Sequence, residues 1–376
     1  MSTMLNVNIL NSSILSSQGD LNETLLAIKN NDIKIASQDI PTLDEIIPTP
    51  YFLLQEKIQE DKSAIYGAMK KIVLKLLEGL DTKQKEETAL IIGTSQIDLN
   101  IVDAVVDTLY DNKEYASKKK SIDTYAKDIS NELGLNGYTM TISTACTSSV
   151  NALLEAKNLI SVGAFKYAVV LGVEIFSQMM SSGFSSMKLL SLKPQKPFDK
   201  NRDGLVLGEA LAGVLVGVDD AKWSLEGGYS NASSYTITAA GEDGDEFYEV
   251  ISKALASLNL EAKDITALKA HATSSTSNDL SEINAISRIF SDDLIFTALK
   301  PYIGHTLGAC GVLELALFMA AIDDGFIPKT INTTEPILEN YKPLSKEFPC
   351  HSGTFMLNYF GFGGNNVSMI IKKRSA

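Results

Sequence analysis

The strongest constraint on the fold is a repeated order of apolar runs in the two halves of the chain. In the first half, a helical run after Cys146 leads into an apolar strand and then through residues 208–213 into another. In the second half, a helical run after Gly311 leads into a strand and then through the glycine turn 361–364 into another. Such strand–helix–strand order is typical of mostly parallel sheets covered by helices. The sequence therefore predicts an α/β fold of two similar halves, with the functional site where they meet.

The repeat suggests a division of the chain near its middle. Residues 1–220 would form an N-terminal half that carries a nucleophilic cysteine, and residues 221–376 a C-terminal half that carries two histidines and the glycine turn. Three shorter segments have their own patterns. Residues 32–50, with three prolines and no period, are predicted to be irregular; residues 177–192, rich in Ser and Met, to be a flexible covering segment; and residues 101–109 to be helical.

Charge and cysteine content limit the class of protein. The 33 Lys and Arg residues against 46 Asp and Glu residues give a formal net charge of −13, whereas nucleic-acid-binding proteins usually carry a basic excess. The three cysteines form no paired framework, and no signal peptide is recognisable, which is typical of a reduced compartment. No apolar run approaches the ~18 residues of a membrane span. We therefore expect a cytoplasmic protein without a membrane span or a nucleic-acid partner.

The candidate nucleophile lies between a short β-prone run and a long helical run. Residues 144–149 read Thr-Ala-Cys-Thr-Ser-Ser, and the small hydroxyl residues favour a helix start. Cys146 is then predicted to lie near a helix N-terminus, where unpaired N–H groups and the helix dipole lower a thiol pKa and favour the reactive thiolate. The alternative at this stage is an unreactive buried cysteine, which behaves as a small hydrophobic residue.

Two of the three histidines lie in loops that suit chemistry. His271 follows an apolar strand and opens a Thr- and Ser-rich loop, and His305 lies between glycines five residues after Lys300. Neutral imidazoles can transfer protons or donate hydrogen bonds, and with a Cys nucleophile they suit carbon–carbon bond formation between thioesters. Backbone N–H groups of the glycine turn 361–364 could stabilise an oxyanion. His351 has no such context and is expected at the surface.

Two other chemistries remain open at this point. Cys146, His271 and His305 could ligate zinc, although structural zinc sites usually show closely spaced ligand pairs that are absent here, so we expect no metal. A papain-like Cys–His pair would need an orienting Asn or Asp, and the sequence identifies none.

Five separated stretches carry a resemblance to one family. In chain order they are 144–146 (Thr-Ala-Cys), 197–209 (Pro-Phe-Asp through Arg-Asp-Gly to Gly-Glu), 271–279 (His-Ala-Thr-Ser-Ser with Asn-Asp), 300–314 (Lys, then Gly-His, to Gly and Glu) and 358–366 (Asn-Tyr-Phe-Gly-Phe-Gly-Gly-Asn-Asn). On these motifs the chain resembles the elongating β-ketoacyl-acyl-carrier-protein synthases of the thiolase superfamily. The likeness runs from about residue 86 to the end of the sequence.

The resemblance implies a fold and a reaction. The fold would be a thiolase-like α/β fold, a duplicated αβαβα arrangement of five layers. The reaction would be a decarboxylative Claisen condensation of a Cys-bound acyl chain with malonyl-acyl-carrier-protein, in fatty-acid, polyketide or aryl-polyene biosynthesis. Cys146 would be acylated, His271 and His305 would bind the malonyl thioester and stabilise its enolate, and Lys300 would hold the histidines in the right electrostatic state.

The resemblance also implies supporting roles around these four catalytic residues. The backbone N–H groups of Cys146 and Phe362 would form the oxyanion hole, and Phe362 would gate the acyl pocket. The implied substrate-binding residues are Thr273, Ser275, Phe360 and Gly363, with Thr273 and Ser275 on the phosphopantetheine arm. The implied structural support comes from Asp279, Glu282 and Glu314. The sequence departs from the family pattern at three site positions, Ala272 for a usual Gly, and Ser275 and Asn365 for usual Thr residues.

Partners follow from the resemblance as well. They would be an acyl carrier protein and either a second copy of the chain or a ketosynthase-like subunit, and phosphopantetheine would arrive on the carrier protein rather than as a bound cofactor. The basic residues that could dock an acidic carrier protein are Lys57, Lys62, Lys188, Lys193, Lys196, Lys200 and Arg202.

The alternative functions for the chain are a non-catalytic chain-length-factor-like subunit, a thiolase and an initiating synthase. Cys146 together with both histidines argues against the first alternative, and Lys300 together with both histidines argues against the other two.

Overall fold

The computed structural model describes residues 5–42, 45–59, 61–98, 121–135, 138–233, 236 and 240–375. The helix predicted at 101–109 lies outside these residues. Within them the chain forms a ten-stranded sheet, a small three-stranded sheet and a two-stranded ribbon. Among the described residues, no helix is both long enough and apolar enough to cross a lipid bilayer.

The strands and helices alternate along most of the chain. The strands are β1 (Asn8–Ser16), β2 (Ala36–Pro41), β3 (Ile46–Phe52), β4 (Thr88–Gly93), β5 (Thr139–Ile142), β6 (Tyr167–Glu174), β7 (Leu207–Gly208), β8 (Ala210–Gly217), β9 (Trp223–Ala232), β10 (Ala267–Lys269), β11 (Phe296–Thr297), β12 (Phe326–Ile327), β13 (Phe348–Pro349), β14 (Gly353–Phe360) and β15 (Asn365–Lys373). The α-helices are α1 (Leu21–Asn30), α2 (Lys62–Leu76), α3 (Thr82–Glu86), α4 (Asp123–Glu132), α5 (Ser148–Ser161), α6 (Gln178–Ser186), α7 (Asp245–Ser257), α8 (Thr276–Ile289), α9 (Lys300–Ile303) and α10 (Cys310–Asp323).

The ten-stranded sheet repeats one connectivity twice. Its order is β11-β10-β14-β15-β9-β1-β8-β6-β4-β5. In one half β4 pairs in parallel with β5 and β6, and β8 is antiparallel to β6 and β1; in the other, β10 pairs in parallel with β11 and β14, and β15 is antiparallel to β14 and β9. The halves join where Asn8 and Ile9 face Ser224 and Trp223. The predicted duplicated α/β order is therefore present.

The expectation of a mostly parallel sheet is wrong. Of its strand pairs, four are parallel and five, including the junction between the halves, are antiparallel. The reason is the length of the connections. A parallel pair needs a crossover of a dozen or more residues, whereas β14 passes into β15 through the turn at 361–364. The division at residues 1–220 and 221–376 stays a prediction.

Helices fill the space between the half-sheets and cover their outer faces. The central layer is α5 with α10; α2 covers one outer face, and α7 with α8 the other. The N-termini of α5 and α10 approach very closely, because a Cβ on Gly311 would lie 2.6 Å from the backbone nitrogen of Val150. This close approach brings the turn before α5 next to the loop before α10, and the candidate site lies there.

Two local predictions are wrong. Residues 32–50 contain most of the antiparallel hairpin β2–β3 rather than an irregular segment. The prolines are tolerated because β2 is an edge strand and β7 pairs with β3 only at Tyr51 and Phe52. Residues 177–192 contain α6, whose N-terminus is capped by the Ser177 hydroxyl accepting from the backbone of Met180. Phe184 of α6 is buried, so this segment packs into the structure near the site rather than covering it loosely.

Candidate active site

Cys146 lies in a tight turn between β5 and α5. The residue before it, Ala145, adopts a left-handed conformation with φ of 53°. For a residue with a Cβ such a conformation is strained and persists only where surrounding structure enforces it. Here the carbonyl oxygens of Thr144 and Ala145 accept from the backbone nitrogens of Thr147 and Ser148, at 3.3 and 3.2 Å. The turn points the Cys146 side chain into a buried site, where the residue is 4% exposed.

The thiol itself differs from the sequence-based expectation. Burial raises the pKa of Cys146 to about 11, although the backbone N–H groups of Phe362 and Cys146 and the charge of Lys300 act to lower it. The prediction of a depressed thiol pKa is therefore wrong for the unliganded site, because desolvation of a sulfur anion outweighs the helix terminus. Before reaction the Cys146 sulfur is therefore protonated, and formation of its anion depends on the groups that contact it.

His271 and His305 flank the sulfur site. The Nε2 atom of His305 is 3.1 Å from the Cys146 sulfur, and the two imidazole rings lie 5.4 Å apart at 86°. Burial, followed by the nearby lysine charge, holds the pKa of both histidines well below the ordinary value. Both rings are therefore neutral near pH 7, as the sequence analysis expected.

Buried partners fix which nitrogen of each ring carries the hydrogen. The ammonium of Lys300 lies 3.4 Å from His271 Nδ1, which must then accept and leave Nε2 as the donor. Nδ1 of His305 is buried and has no hydrogen-bond partner among the described residues. A buried N–H without an acceptor is rarer than an unpaired acceptor, so the hydrogen of His305 belongs on Nε2. Both rings then present Nε2–H groups to the site.

A buried charge cluster lies behind the two rings. Lys300 donates to Glu314 Oε1 at 2.6 Å, while Lys269 donates to Glu314 Oε2 and, at 2.9 Å, to the carbonyl oxygen of Asn358. The two lysines and Glu314 are fully buried. Desolvation acts to lower the pKa of Lys300, but Glu314 outweighs it and raises that pKa. Lys300 is therefore charged, and its prediction beside the histidines agrees with the geometry.

Two carboxylates hold the loop that carries His271. Glu282 accepts from the backbone nitrogens of His271 and Ala272, both at 2.8 Å, and Asp279 accepts from the backbone nitrogens of Ser274 and Phe198. Ala272 itself is left-handed, with φ of 52°, which accounts for glycine being the easier residue at this position. Asp279 and Glu282 thus support the histidine loop directly, whereas only Glu314 contacts Lys300.

The glycine turn packs against the nucleophile. The backbone N–H of Phe362 interacts with the Cys146 thiol, and the Phe362 ring stacks on Phe184 of α6 with ring centroids 5.6 Å apart. The turn is tied to α5 by Asn365, whose side-chain oxygen accepts from Thr147 at 2.5 Å and Asn151 at 2.7 Å. Phe362 therefore supplies both an N–H donor to the thiol and one ring of an aromatic pair.

The predicted substrate-binding residues are only partly brought together. Phe360 lines a narrow cleft with Phe362, and its ring stacks on Phe247 with centroids 3.7 Å apart. Thr273 and Ser275 are buried, and their hydroxyl oxygens lie 3.0 Å apart. Gly363 is exposed and does not line that cleft. Among the described residues, no group of three or more His, Cys, Asp or Glu side chains is arranged to hold a metal ion.

Sequence reasoning missed two buried charged residues beside the site, Lys269 and Glu174. Glu174 ends β6, and its Oε2 accepts from the backbone nitrogens of Gly308 at 2.9 Å and Ser95 at 3.2 Å, while Oε1 accepts from the Ser95 hydroxyl. It thus anchors the loop that follows His305. A signal was available for both: each is a charged residue at the end of a fully buried apolar strand.

Glu174 gives the fold a pH dependence that can be measured. Burial raises its pKa from the ordinary 4.5 to about 7. Between those values the folded chain binds a proton that the unfolded chain does not, so stability falls as pH rises from 4.5 to 7, by about 3 kcal/mol. In Glu174→Gln the amide can accept both backbone N–H groups and donate to Ser95, so we expect this component to vanish.

The measurement is urea unfolding of both proteins between pH 4.5 and 8. Buried Asp279 and Glu282 also have raised pKa values, so the informative quantity is the difference between wild type and Glu174→Gln. Glu242→Gln, at an exposed position, is the control and should follow the wild type. Parallel pH curves for wild type and Glu174→Gln would contradict the assignment.

Comparison with known proteins gives the family. The sequence profile described as "Beta-ketoacyl synthase, N-terminal domain" matches residues 74–220, and "Beta-ketoacyl synthase, C-terminal domain" matches residues 224–334. A protein of Rhizobium meliloti named 3-oxoacyl-[acyl-carrier-protein] synthase 2 is 29% identical over 316 residues, covering 76% of this chain and 74% of its own. The chloroplastic 3-oxoacyl-[acyl-carrier-protein] synthase I of Arabidopsis thaliana is 30% identical over 317 residues, covering 76% and 66%.

Solved structures share the fold. A β-ketoacyl synthase from Burkholderia phymatum superposes with a TM-score of 0.86 at 23% identity, covering 99% of this chain and 100% of its own. A ketosynthase solved with its chain length factor from Xenorhabdus doucetiae gives a TM-score of 0.84 at 22% identity, covering 98% of each chain. The fold is thus the thiolase-like one, and the chain is an acyl-transferring condensing enzyme. The chain belongs to the β-ketoacyl synthase family.

Proposed function

We propose that the protein extends an acyl chain by two carbons, through decarboxylative Claisen condensation of a Cys146-bound acyl group with a malonyl thioester carried by acyl carrier protein. One observation carries the proposal: a buried thiol lies 3.1 Å from one of two neutral imidazoles whose Nε2–H groups face the site. A thiol can take an acyl group from a thioester, and two N–H donors can stabilise an enolate oxygen.

The first half-reaction is acyl transfer. The Cys146 sulfur attacks the thioester carbonyl, the carbon–sulfur bond to pantetheine breaks, and the proton of Cys146 ends on the departing pantetheine thiolate. The Nε2–H of His305 stabilises the sulfur anion as it forms. The backbone N–H groups of Cys146 and Phe362, which interact with the thiol, would serve as the oxyanion hole by donating to the thioester oxygen as it becomes negative.

The second half-reaction is condensation. The oxygen of the malonyl thioester accepts from the Nε2–H groups of His271 and His305, and the bond to the malonyl carboxylate breaks to release carbon dioxide and leave an enolate. The enolate carbon attacks the acyl group on Cys146, whose sulfur leaves and takes a proton from water. Lys300 keeps His271 in the donor tautomer because its ammonium occupies Nδ1.

The acyl pocket is proposed to open by movement of the Phe184–Phe362 stack. Phe184 packs in the same apolar cluster as Cys146, with Phe362 against it, so we expect an incoming chain to displace at least one of the two rings. Phe184→Ala removes half of the stack, and we expect kcat/KM for long acyl donors to rise relative to short ones by about threefold or more. Steady-state rates with a series of acyl-carrier-protein donors measure this. The exposed Phe348→Ala is the control, and an unchanged chain-length profile in Phe184→Ala would rule out the gate.

The partners and the compartment are part of the same proposal. β5 is at the edge of the ten-stranded sheet as described, and an edge strand has backbone N–H and C=O groups that can pair with another chain. This supports a dimer with a second copy or with a ketosynthase-like subunit. Of the basic docking candidates, Lys62, Lys200 and Arg202 are engaged within the chain, so the better candidates for an acidic carrier protein are Lys57, Lys188, Lys193 and Lys196. Three unpaired cysteines support a reducing, cytoplasmic location. Phosphopantetheine is proposed to arrive on the carrier protein.

The experiment that tests the proposal supplies the purified chain with acyl- and malonyl-carrier-protein and follows carbon dioxide and the β-ketoacyl product. Formation of both in equal amounts supports condensation. Absence of both from the chain alone, with turnover only when a second subunit supplies its own cysteine, would support the chain-length-factor-like alternative instead. The pathway and the acyl chain length stay predictions of the sequence resemblance.

A further inference from the structure

A second buried lysine lies beneath the histidine pair, and the proposed mechanism does not use it. Lys269 ends β10, two residues before His271, and is fully buried. Its ammonium group donates to Glu314 Oε2 and, at 2.9 Å, to the carbonyl oxygen of Asn358. It also lies over the face of the Tyr359 ring, whose centroid is 3.7 Å away. A buried lysine costs free energy unless its charge is compensated. The burial of Lys269 at this depth therefore needs an explanation.

The surroundings of Lys269 match a charged ammonium group. All three partners accept from an N–H: a carboxylate oxygen, a carbonyl oxygen and an aromatic face. An ammonium has three N–H groups and no lone pair, so it satisfies all three. A neutral amine would point a lone pair at an acceptor. Burial lowers the pKa of Lys269 and Glu314 opposes that change, but the three acceptors around the nitrogen favour the charged form.

The cluster then carries one more positive than negative charge. Two ammonium groups, Lys269 and Lys300, share the single carboxylate of Glu314, one on each oxygen. The shared carboxylate fixes the position of Lys300, because Oε2 is held by Lys269 while Oε1 accepts from Lys300 at 2.6 Å. Lys300 in turn reaches His271 Nδ1 at 3.4 Å. A change at Lys269 therefore acts on His271 through Glu314 and Lys300.

We propose that Lys269 is a positioning residue for the condensation half-reaction, which holds Glu314 and Lys300 in place and supplies positive charge beneath the two imidazoles. This inference rests on the proposed function. The positive charge adds to burial in keeping both rings neutral, and it attracts the anionic malonyl group and then the enolate. Because Cys146 is acylated without His271, Lys269 matters less for the first half-reaction.

The sign of the expected pH effect follows from the charges. Condensation needs neutral rings, so its rate falls on the acidic side as the histidines become protonated. Burial comes first among the causes that lower the histidine pKa values, and the charges of Lys300 and Lys269 add to it. Removing Lys269 therefore raises those pKa values and moves the acidic limb of the rate profile to higher pH. The other titratable groups near the rings are Lys300 of α9, Glu314 and Cys310 of α10, Tyr359 of β14, Glu282 of α8, Glu174 of β6 and Cys146.

The test compares wild type with Lys269→Met, which keeps the chain length without the charge, and with Lys269→Gln, which keeps hydrogen bonding without the charge. The control is Lys253→Met, an exposed lysine of α7. For both Lys269 variants we expect acylation of Cys146 within about twofold of wild type. Malonyl decarboxylation should fall by about tenfold or more, and its acidic limb should rise by about half a pH unit or more.

A spectroscopic measurement separates this role from a merely structural one. The chain has three histidines, and His351 is exposed, so ring-labelled protein gives few signals and an internal reference. In Lys269→Met the two buried rings should titrate at higher pH than in wild type, while His351 should not change.

Each outcome decides one question. If wild type neither acylates Cys146 nor decarboxylates the malonyl thioester, the proposed function fails regardless of Lys269. If wild type does both and the Lys269 variants match its rate and acidic limb, only the inference about Lys269 fails. If neither variant folds, or if acylation and decarboxylation fall equally, Lys269 is structural and the inference is overturned.

Discussion

Replacing Cys146 with alanine is expected to abolish condensation while sparing decarboxylation. The sulfur is the only group proposed to carry the acyl chain, so elongation should fall by more than about 10⁴-fold. The malonyl thioester, in contrast, is held by the histidines, and its carbon–carbon bond breaks without help from the sulfur. The Cys146→Ala protein should therefore still release carbon dioxide from malonyl-carrier-protein and form acetyl-carrier-protein. Decarboxylation is measured with labelled malonyl substrate and no acyl donor, and elongation with the same substrate plus an acyl-carrier-protein donor.

The control for this experiment lies in the same chain. Cys310 is not used as the control, because it is the one other cysteine near the site among the described residues. It is buried, and its thiol donates to the carbonyl oxygen of Cys146 at 3.1 Å. Cys350→Ala, away from the site, should leave both activities unchanged. Normal elongation by Cys146→Ala would refute the assignment of the nucleophile, and equal loss of both activities would place the sulfur in the decarboxylation step.

Replacing either histidine is expected to have a large effect, but the two effects should differ. His271→Ala removes one N–H donor from the enolate and should lower decarboxylation by about 10²–10³-fold, with acylation of Cys146 little changed. His305 also contacts the sulfur at 3.1 Å, so His305→Ala should slow both half-reactions. Single-turnover acylation, read by intact mass, and malonyl decarboxylation separate the two cases.

His351→Ala is the matched control, because that ring is exposed. Unfolding curves show whether the buried substitutions also perturb the fold. Equal losses in both half-reactions for His271→Ala and His305→Ala would contradict the different roles proposed for the two histidines. Those roles depend on Lys300 contacting the His271 ring and on the sulfur contacting the His305 ring.

The candidate catalytic residues were easier to predict than the surrounding groups that set their pKa values. Cys146, His271 and His305 each follow a recognisable run and a turn, and the structure brings all three together. The thiol pKa was mispredicted because local sequence shows a helix terminus but not burial, and burial dominates. Lys269 was missed because its place at the end of an apolar strand marks it as unusual but does not show which elements will enclose it.

The same contrast holds for the fold. The duplicated order followed from apolar runs and glycines, which are local signals. The antiparallel pairs, in contrast, depend on how short each connection is, and β14–β15 was predicted only as two strands around a turn. The hairpin β2–β3 was missed because Pro41, Pro48 and Pro50 lower strand propensity. They are tolerated because each lies where its strand is paired on one side only. Helix α6 was missed because its serines and methionines show no clear period.

The most direct test of the central claim is to identify which sulfur carries the acyl group. Wild-type protein is incubated with an acyl-carrier-protein donor, digested, and mapped by mass spectrometry across the three cysteine-containing peptides. The proposed mechanism predicts one acyl group per chain, on Cys146 alone, and its loss in step with release of one carbon dioxide when malonyl-carrier-protein is added. An acyl group on Cys310 or Cys350, or an adduct on Cys146 that malonyl-carrier-protein does not discharge, would contradict it.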